Sequence, residues 1–434
     1  MKVSAFMFAA CSMLLTGSLS ADDNLPKSLK DAISIAVKNN PKTVSTNELL
    51  EAIRFQTLAS KADMYPSASL NCSGSLSSGQ STYNSSTDPY RGRSGDCGVS
   101  VNVTLYDGKS SYYNYKAAEA NEAATKAAYN TTDSMIPNTR GGLANQALGN
   151  YINVADSIGS IKNTSTTLSF LYAFEKVSDD YNLKSKITET EQSLEQANAS
   201  LQLQKESFEY TVTLPPSDNL DDFDITIGSL LIPASADDAI ELALSNGPEV
   251  VRRNLNVQMA EFSLKAIKGS LGPSITLSAS AGRNINQDRM SSINNSSSIN
   301  KNVGIVVSIP LGVSGHYRVK SSEASLASAK SEREAAIADA KYSISAQYKK
   351  LVNLRNKYLT YSKNYNDQLN YLKSLIKNIE LNRSSSVDAT QFLTAIETFE
   401  RRHSQLQYTQ IEILYNLFGI QQVTGQLFSE VGLI

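Results

Sequence analysis

The N-terminal half of this 434-residue chain is repeated in its C-terminal half. A shift of 207 positions places Asp31-Ala32-Ile33 on Asp238-Ala239-Ile240 and Pro66-Ser67 on Pro273-Ser274 without a gap. After a variable segment the match resumes at a shift of 204. Solenoid repeats have periods of about 20–50 residues, far shorter than this one. Each half is therefore expected to build the same piece of architecture.

Residues 1–21 have the pattern of a cleaved export signal. Lys2 supplies a positive charge, an apolar stretch follows, and small residues precede the expected cleavage after Ala21. The stretch is shorter than the roughly 20 residues that cross a bilayer as a helix, so a retained anchor helix is the less favoured alternative. Lipidation of Cys11 is a second alternative, although Phe8 stands where such signals usually have leucine.

The composition argues against catalysis and against nucleic-acid binding. Lys+Arg and Asp+Glu total 40 and 42, and no dense basic block is present. His316 and His403 are far apart, lack partners at ligand spacing, and are predicted to be surface residues of helices. Gly108-Lys109-Ser110 resembles the end of a phosphate-binding loop, but Val103 stands where the first glycine is needed. The sequence therefore predicts no enzyme, cofactor or metal site, and no nucleic-acid partner.

Four segments alternate between aliphatic residues and small or hydroxylated ones. This pattern is typical of transmembrane β-barrel strands, which face lipid on one side and water on the other. Half-buried strands of a soluble sandwich show the same pattern, so the strands alone leave both possibilities open. The predicted strands are 67–77, 97–106, 274–282 and 303–311, with polar loops at 77–96 and 282–302.

Long helices are predicted after each pair of strands. Between Gly315 and Gly419 lie 103 residues without Gly or Pro, and apolar residues recur there at spacings of three and four, as in coiled coils. The predicted helices are 109–180, interrupted near Pro137, and 183–210 in the first half, and 316–381 and 386–418 in the second. Turns near 179–182 and 382–386 would make each pair an antiparallel hairpin. The resulting divisions are a first repeat 25–212, an acidic linker 213–234, a second repeat 235–425 and a tail 426–434.

Four strands are too few to close a barrel, since the smallest barrels have about eight. If the strands cross a membrane, several copies of the chain must share one barrel. Three copies would supply about twelve strands, which is the smallest cyclic arrangement with a real lumen. The sequence therefore predicts a homotrimer.

Cys72 and Cys97 are the two cysteines that remain once the signal is removed. Exported proteins mature in an oxidising compartment, where disulfides persist. Both residues fall on the aliphatic faces of their strands, near the predicted loop 77–96. A disulfide across this hairpin is therefore expected.

These features together resemble the TolC family of outer-membrane efflux proteins over about residues 25–425. The resemblance rests on the duplicated entry helices at 31–41 and 238–248, the Pro-Ser strand entries at 66 and 273, and Leu105-Tyr106-Asp107-Gly108. It implies a mixed membrane α+β fold and a homotrimer. Its shared barrel of about twelve strands would cross the outer membrane, with long antiparallel coiled-coil helices forming an α-barrel in the periplasm.

The resemblance also implies a function, that of a passive exit duct in outer-membrane lipid. Cargo would arrive from an inner-membrane ABC or RND transporter through a periplasmic adaptor. Type I protein secretion is favoured, because Leu105-Tyr106-Asp107-Gly108 and a Ser-rich helical tip without glycine are similar to secretion-associated members. Multidrug or small-molecule efflux is the alternative. A periplasmic coiled-coil adaptor without a pore is a further alternative, disfavoured because adaptors have one helical hairpin and this chain has two.

The helical tips hold the candidate functional residues. In the family, the tip carries a glycine turn followed by Ser or Thr and an aspartate that faces the pore. Here Asn382 takes the place of the glycine, while Ser385 and Asp388 remain. The resemblance therefore implies that Asp388 belongs to an acidic ring at the periplasmic mouth. Helix capping is the alternative role for Asp388. The candidate tip residues are Asn382, Arg383, Ser385 and Asp388, with Asp179 and Asp180 at the equivalent turn of the first half.

Overall fold

A computed structural model describes residues 25–83, 86–131, 139–217, 220–221, 223–229, 233–288, 296–380 and 388–427. The expected export signal, Cys11, Asn382, Arg383 and Ser385 lie outside these residues. The chain divides into two compact units. The first draws its described residues from Met1–Asn40, Leu143–Ser229 and Lys357–Leu414, and the second from Pro41–Gly142, Leu230–Asn356 and Tyr415–Ile434. Each unit therefore contains parts of both sequence repeats.

The described residues form ten helices and four strands. In the first half these are α1 (Leu29–Asn39), α2 (Pro41–Ala62), β1 (Ser67–Tyr83), β2 (Ser86–Tyr106), α3 (Ser110–Ala128), α4 (Arg140–Glu175) and α5 (Tyr181–Val212). The short α6 (Phe223–Ser229) lies in the linker. The second half contains α7 (Ala236–Asn246), α8 (Pro248–Ser270), β3 (Ser274–Asp288), β4 (Ser296–Ser308), α9 (Ser314–Glu380) and α10 (Ala389–Thr424).

The duplicated entry helices begin with the same capping chemistry. The Ser28 hydroxyl accepts a hydrogen bond from the backbone N–H of Asp31 at 3.2 Å, and Ser235 does the same for Asp238 at 3.1 Å. Such a cap satisfies a backbone donor that the first turn of a helix leaves unpaired. The Asp31 carboxylate also accepts from the Ser28 backbone, completing a capping box. The repeat seen in the sequence is thus a repeat of local structure.

All four strands pair antiparallel in the order β1-β2-β3-β4. The predicted loops 77–96 and 282–302 are wrong in most of their described parts, because the β1–β2 ladder continues to the pair Tyr83–Ser86 and β3 runs to Asp288. Polar residues occupy most positions of both faces in the extension, so regular alternation disappears while backbone pairing continues. The fourth strand ends at Ser308, earlier than the predicted 311, since Pro310 has no N–H to donate.

The long helices differ from expectation mainly at their ends. The interruption predicted near Pro137 falls between the end of α3 and the start of α4, and the turn predicted at 179–182 lies where α5 begins. The predicted end of the last helix at 418 is wrong. The last helix, α10, continues through Gly419 to Thr424, because a glycine inside a helix lowers the stability by only about 1 kcal/mol. Gly425, at φ 75°, follows its last residue. No helix among the described residues is long and apolar enough to cross a membrane.

Gly108 joins β2 to α3 at a point of close backbone approach. Its φ is +67°, and a Cβ there would lie 2.3 Å from the carbonyl oxygen of Gly269, near the end of α8. The Asp107 carboxylate accepts a hydrogen bond from the Ser111 N–H at 2.7 Å and so caps the new helix. Only glycine satisfies both the positive φ and the missing space. This junction fixes where the strands become helices.

We expect Gly108→Ala to destabilise the protein by about 2 kcal/mol or more, because the left-handed conformation and the clash both act against a Cβ. Gly312 is the matched control, since it is the repeat partner of Gly108 and its nearest contact would be the Ser314 Oγ at 3.4 Å. Thermal unfolding followed by circular dichroism should show a lower midpoint for Gly108→Ala only. Equal losses for the two variants would contradict this explanation.

Candidate functional site

The first candidate surface is the aliphatic face of the sheet. Residues directly opposite each other in an antiparallel ladder lie on the same face, so the register collects aliphatic residues of all four strands on one side. Leu76 is 81% exposed and Val303 74% exposed, which excludes the buried inner face of a sandwich within this chain. The exposed aliphatic members are Leu70, Leu76, Val99, Leu105, Ile285, Ile299, Val303, Ile305 and Val307.

Both edges of this sheet are open. Among the described residues, β1 pairs only with β2 and β4 pairs only with β3. An edge strand presents unpaired N–H and C=O groups that readily pair with another strand. An exposed aliphatic surface of this extent marks an interface with lipid or protein. The sheet therefore has the features of one segment of a larger assembly.

The Cys72–Cys97 disulfide predicted from the sequence is confirmed. The two residues face each other across the β1–β2 ladder, with Cα atoms 4.1 Å apart. Their sequence separation is 25 residues, for which the chain-entropy model gives a stabilisation of about 3.5 kcal/mol. Both sulfur atoms belong to the aliphatic face, because Leu70 and Val99 form the neighbouring rung of that face.

Asp179 and Asp180 lie in the turn between α4 and α5, and they have different roles. The Asp180 carboxylate caps α5 by accepting hydrogen bonds from the N–H groups of Asn182 at 2.8 Å and Leu183 at 3.2 Å. Asp179 forms an ion pair with Lys184, and this pair lowers the pKa of Asp179 and raises that of Lys184. Both aspartates are therefore already engaged with α5. Tyr181 beside them is 82% exposed.

Asp388 directly precedes α10, and its side chain is exposed. Its backbone carbonyl accepts the hydrogen bond from the Phe392 N–H at 3.1 Å, which places Asp388 at the N-terminal end of that helix. This position suits a carboxylate that complements the helix dipole. The same exposed position also suits a carboxylate that faces a pore. Asn382, Arg383 and Ser385 lie outside the described residues, so only Asp388 of this predicted group is placed.

An apolar cluster brings the two tips to the same end of the first unit. The rings of Phe174 on α4 and Phe392 on α10 stack with centroids 4.2 Å apart and an interplanar angle of 6°. Phe174 precedes the turn that holds Asp179, and Phe392 follows Asp388 by one helical turn. The cluster's buried members are Leu171, Phe174, Leu183, Ile187, Leu372, Phe392, Ala395, Ile396 and Phe399.

Polar contacts join the same helices farther from the tips than the apolar cluster. The Lys186 ammonium on α5 lies 3.4 Å from the Glu400 carboxylate on α10. The Gln407 side chain donates to the backbone carbonyl of Asp156 at 2.9 Å, and a Cβ at Gly159 would come within 3.0 Å of that amide. Helices α4, α5 and α10 are therefore held together by specific contacts as well as by apolar packing.

His316 is exposed as expected, whereas His403 is only partly exposed. His403 packs against the Tyr365 ring at 5.7 Å and borders a cavity of about 470 Å³ between α4, α9 and α10. Burial lowers the pKa of His403 to about 4. Its ring partner Tyr365 is 38 positions away in the sequence, and the α4 residues of the cavity are more distant still, so no local pattern could have indicated these contacts.

His403 should make stability depend on pH. Its pKa is depressed in the folded protein, so between about 6.5 and 4 the unfolded chain binds a proton that the folded chain does not. Stability is therefore complete above pH 6.5 and falls on acidification, by up to about 1.4 kcal/mol per pH unit. Replacing His403 with Gln should remove this component.

The measurement is the unfolding midpoint of wild type and His403→Gln at several pH values from 7 to 4. Burial raises the pKa of Asp156, which acts in the opposite direction and is present in both proteins. The difference between the two curves therefore isolates His403. Parallel curves would show that the imidazole titrates alike in the folded and unfolded chains.

Comparison with known proteins gives structural but no sequence matches. No family model and no curated protein sequence matches the chain. Its fold is similar to that of the outer-membrane protein VceC of Vibrio cholerae, with 14% identity, a TM-score of 0.68, and coverage of 92% of this chain and 96% of that one. The open-state MtrE outer-membrane channel of Neisseria gonorrhoeae gives 15% identity and a TM-score of 0.66, covering 95% and 94%. The CmeC outer-membrane channel of Campylobacter jejuni gives 10% identity and 0.63, covering 98% and 94%.

Proposed function

We propose that this chain, which has the TolC-like fold of the outer-membrane channels it matches, is itself an outer-membrane exit duct. In this proposal three copies join edge to edge and form a barrel of about twelve strands. The observation that carries the proposal is the four-stranded sheet with an exposed aliphatic face and two open edges. Closing the edges pairs every strand, as the interior of a bilayer requires. The helices then extend into the periplasm.

The duct is passive in this proposal, and its partners supply the energy. An inner-membrane ABC or RND transporter delivers cargo, and a periplasmic adaptor connects it to the helical tips. A partner that binds the open tips more tightly than the closed ones shifts the population towards the open duct. The packing of α4, α5 and α10 near Asp179 and Asp388 supports this, because it gives the tips a defined arrangement from which to open.

Protein cargo is favoured over small molecules. The support is the similarity of Leu105-Tyr106-Asp107-Gly108 and of the Ser-rich tip to secretion-associated members of the TolC family. The secretion system would then be of type I, with one dedicated transporter and adaptor. Small-molecule efflux is the competing function, and a periplasmic adaptor without a pore is the competing class.

A strain that lacks this gene distinguishes these functions. We expect the loss of one large exported protein from the medium or cell surface, its retention inside the cell, and recovery on complementation. An unchanged export profile with raised drug susceptibility would instead support efflux. Recovery of the chain in the soluble periplasmic fraction, without heat-modifiable migration on gels, would reject the duct in favour of an adaptor.

Asp388→Asn tests the acidic pore mouth. Asparagine caps helices about as well as aspartate, so the substitution removes the charge and keeps the cap. We expect the open channel in planar bilayers to lose cation selectivity while its thermal stability stays unchanged. Asp180→Asn is the matched control, since Asp180 caps α5 at the other tip. Unchanged selectivity in Asp388→Asn, or an equal change in the control, would leave Asp388 with the capping role alone.

A further inference from the structure

The disulfide lies at a particular height on the aliphatic face. The ladder places the rungs Leu70–Val99 and Ala68–Val101 between the cysteines and the helical end of the sheet. At about 3.3 Å per residue, Cys72 lies roughly 17 Å along the strand from Ser67, where β1 begins. An apolar belt therefore separates the disulfide from the helices.

Two charged side chains interrupt the aliphatic face near the disulfide. Arg283 on β3 stands opposite Cys97, and Lys301 on β4 stands opposite Ala281, one rung nearer the helices. Leu76 and Ile285 continue the aliphatic face beyond the disulfide, so the disulfide lies within this face. In the proposed barrel, with its helices in the periplasm, the disulfide lies on the lipid-facing surface, separated from the periplasm by the apolar belt. A soluble periplasmic protein cannot reach it there.

Beyond the rungs Leu70–Val99 and Ala68–Val101, the β1–β2 hairpin has few side chains that could fix its own register. Its opposing pairs include Gly74 with Gly95, and two serine pairs whose hydroxyls lie 2.8 Å and 2.6 Å apart. A slip of two residues keeps every side chain on its original face, so a Gly- and Ser-rich ladder resists it weakly. The β3–β4 hairpin differs, because it opposes Leu277 with Ile305 and Ile275 with Val307. The cross-link therefore lies in the hairpin whose register is less firmly fixed by its side chains.

We propose that Cys72 and Cys97 are oxidised before the strands enter the membrane, by thiol–disulfide exchange with a disulfide-bearing oxidoreductase of the periplasm, and that this oxidation sets the register for insertion. The inference rests on the proposed barrel. One cysteine thiolate attacks the oxidant's disulfide and forms a mixed disulfide, releasing one oxidant thiolate. The second cysteine thiolate then attacks the cysteine sulfur of the mixed disulfide. The chain loses two electrons and two protons, and the oxidant leaves as a dithiol.

The order of events follows from accessibility. Before insertion the hairpin is in the same compartment as the oxidant, and both thiols are within its reach. After insertion the apolar belt lies between the two cysteines and the periplasmic oxidant. Reduced chains should therefore accumulate ahead of insertion when the oxidant is scarce, and inserted trimers should contain the disulfide from the moment they form.

The test follows newly made full-length protein in cells by pulse labelling. Samples are quenched in acid, and free thiols are tagged with a maleimide polymer that shifts migration on gels. Inserted trimers are separated from uninserted chains by their heat-modifiable migration. We expect free thiols only in uninserted chains, and more of them in a strain depleted of its periplasmic dithiol oxidase. Inserted trimers with free thiols that oxidise later would overturn the proposed order.

A pair of double variants tests the register. Cys72→Ala with Cys97→Ala removes the cross-link, whereas Ser75→Ala with Ser94→Ala removes a side-chain pair from the other face of the same hairpin. We expect a severalfold lower yield of inserted trimer for the cysteine pair only, and equal yields would overturn the register role. Should the cysteine variant be degraded, the thiol state of the wild type still decides the order. Failure of the proposed function appears separately, as wild-type protein that neither reaches the outer membrane nor conducts ions.

Discussion

Backbone hydrogen bonding at the two edges of the four-stranded sheet is the constraint on which the rest of the structure depends. Each edge carries N–H and C=O groups that need a partner, and one face carries aliphatic side chains that water solvates poorly. One chain cannot satisfy both needs. Copies joined at their edges can, because they complete the ladder and turn the aliphatic face outward. The junctions near Gly108 then set where the helices leave such a barrel.

The first unit obeys a different constraint, that of packing long helices without a wide apolar face. It combines stacked aromatic rings near the tips with glutamine contacts to backbone carbonyls higher up. A buried amide that reaches a carbonyl satisfies both groups, and glycines such as Gly159 provide the space for it. Contacts of this kind fix the alignment of neighbouring helices more sharply than apolar packing does. They also leave a cavity beside His403.

Much of the architecture could be predicted from the sequence, since it depends on local or repeated patterns. The duplication predicted two equivalent hairpins, alternation predicted the aliphatic face, and two cysteines in an exported chain predicted the disulfide. The strand extensions were missed because alternation is informative only where one face is apolar. The partial burial of His403 was missed because Tyr365 and the α4 residues beside it come from distant parts of the chain. The division into compact units was missed because each unit mixes the two repeats.

The first hairpin is longer than the second, and the extra length affects how its sequence can change during evolution. The β1–β2 ladder continues for six pairs beyond Gly92, the last β2 residue paired with β3, and so extends as a two-stranded ribbon of about 20 Å. The sequence of this ribbon has no alternating aliphatic pattern that would have to be kept. Neither of its edges pairs with another described strand of the sheet. Inserting or deleting residues in pairs there changes the length of the ribbon and leaves the four-stranded sheet untouched. Selection can therefore reshape this ribbon independently of the four-stranded sheet beside it.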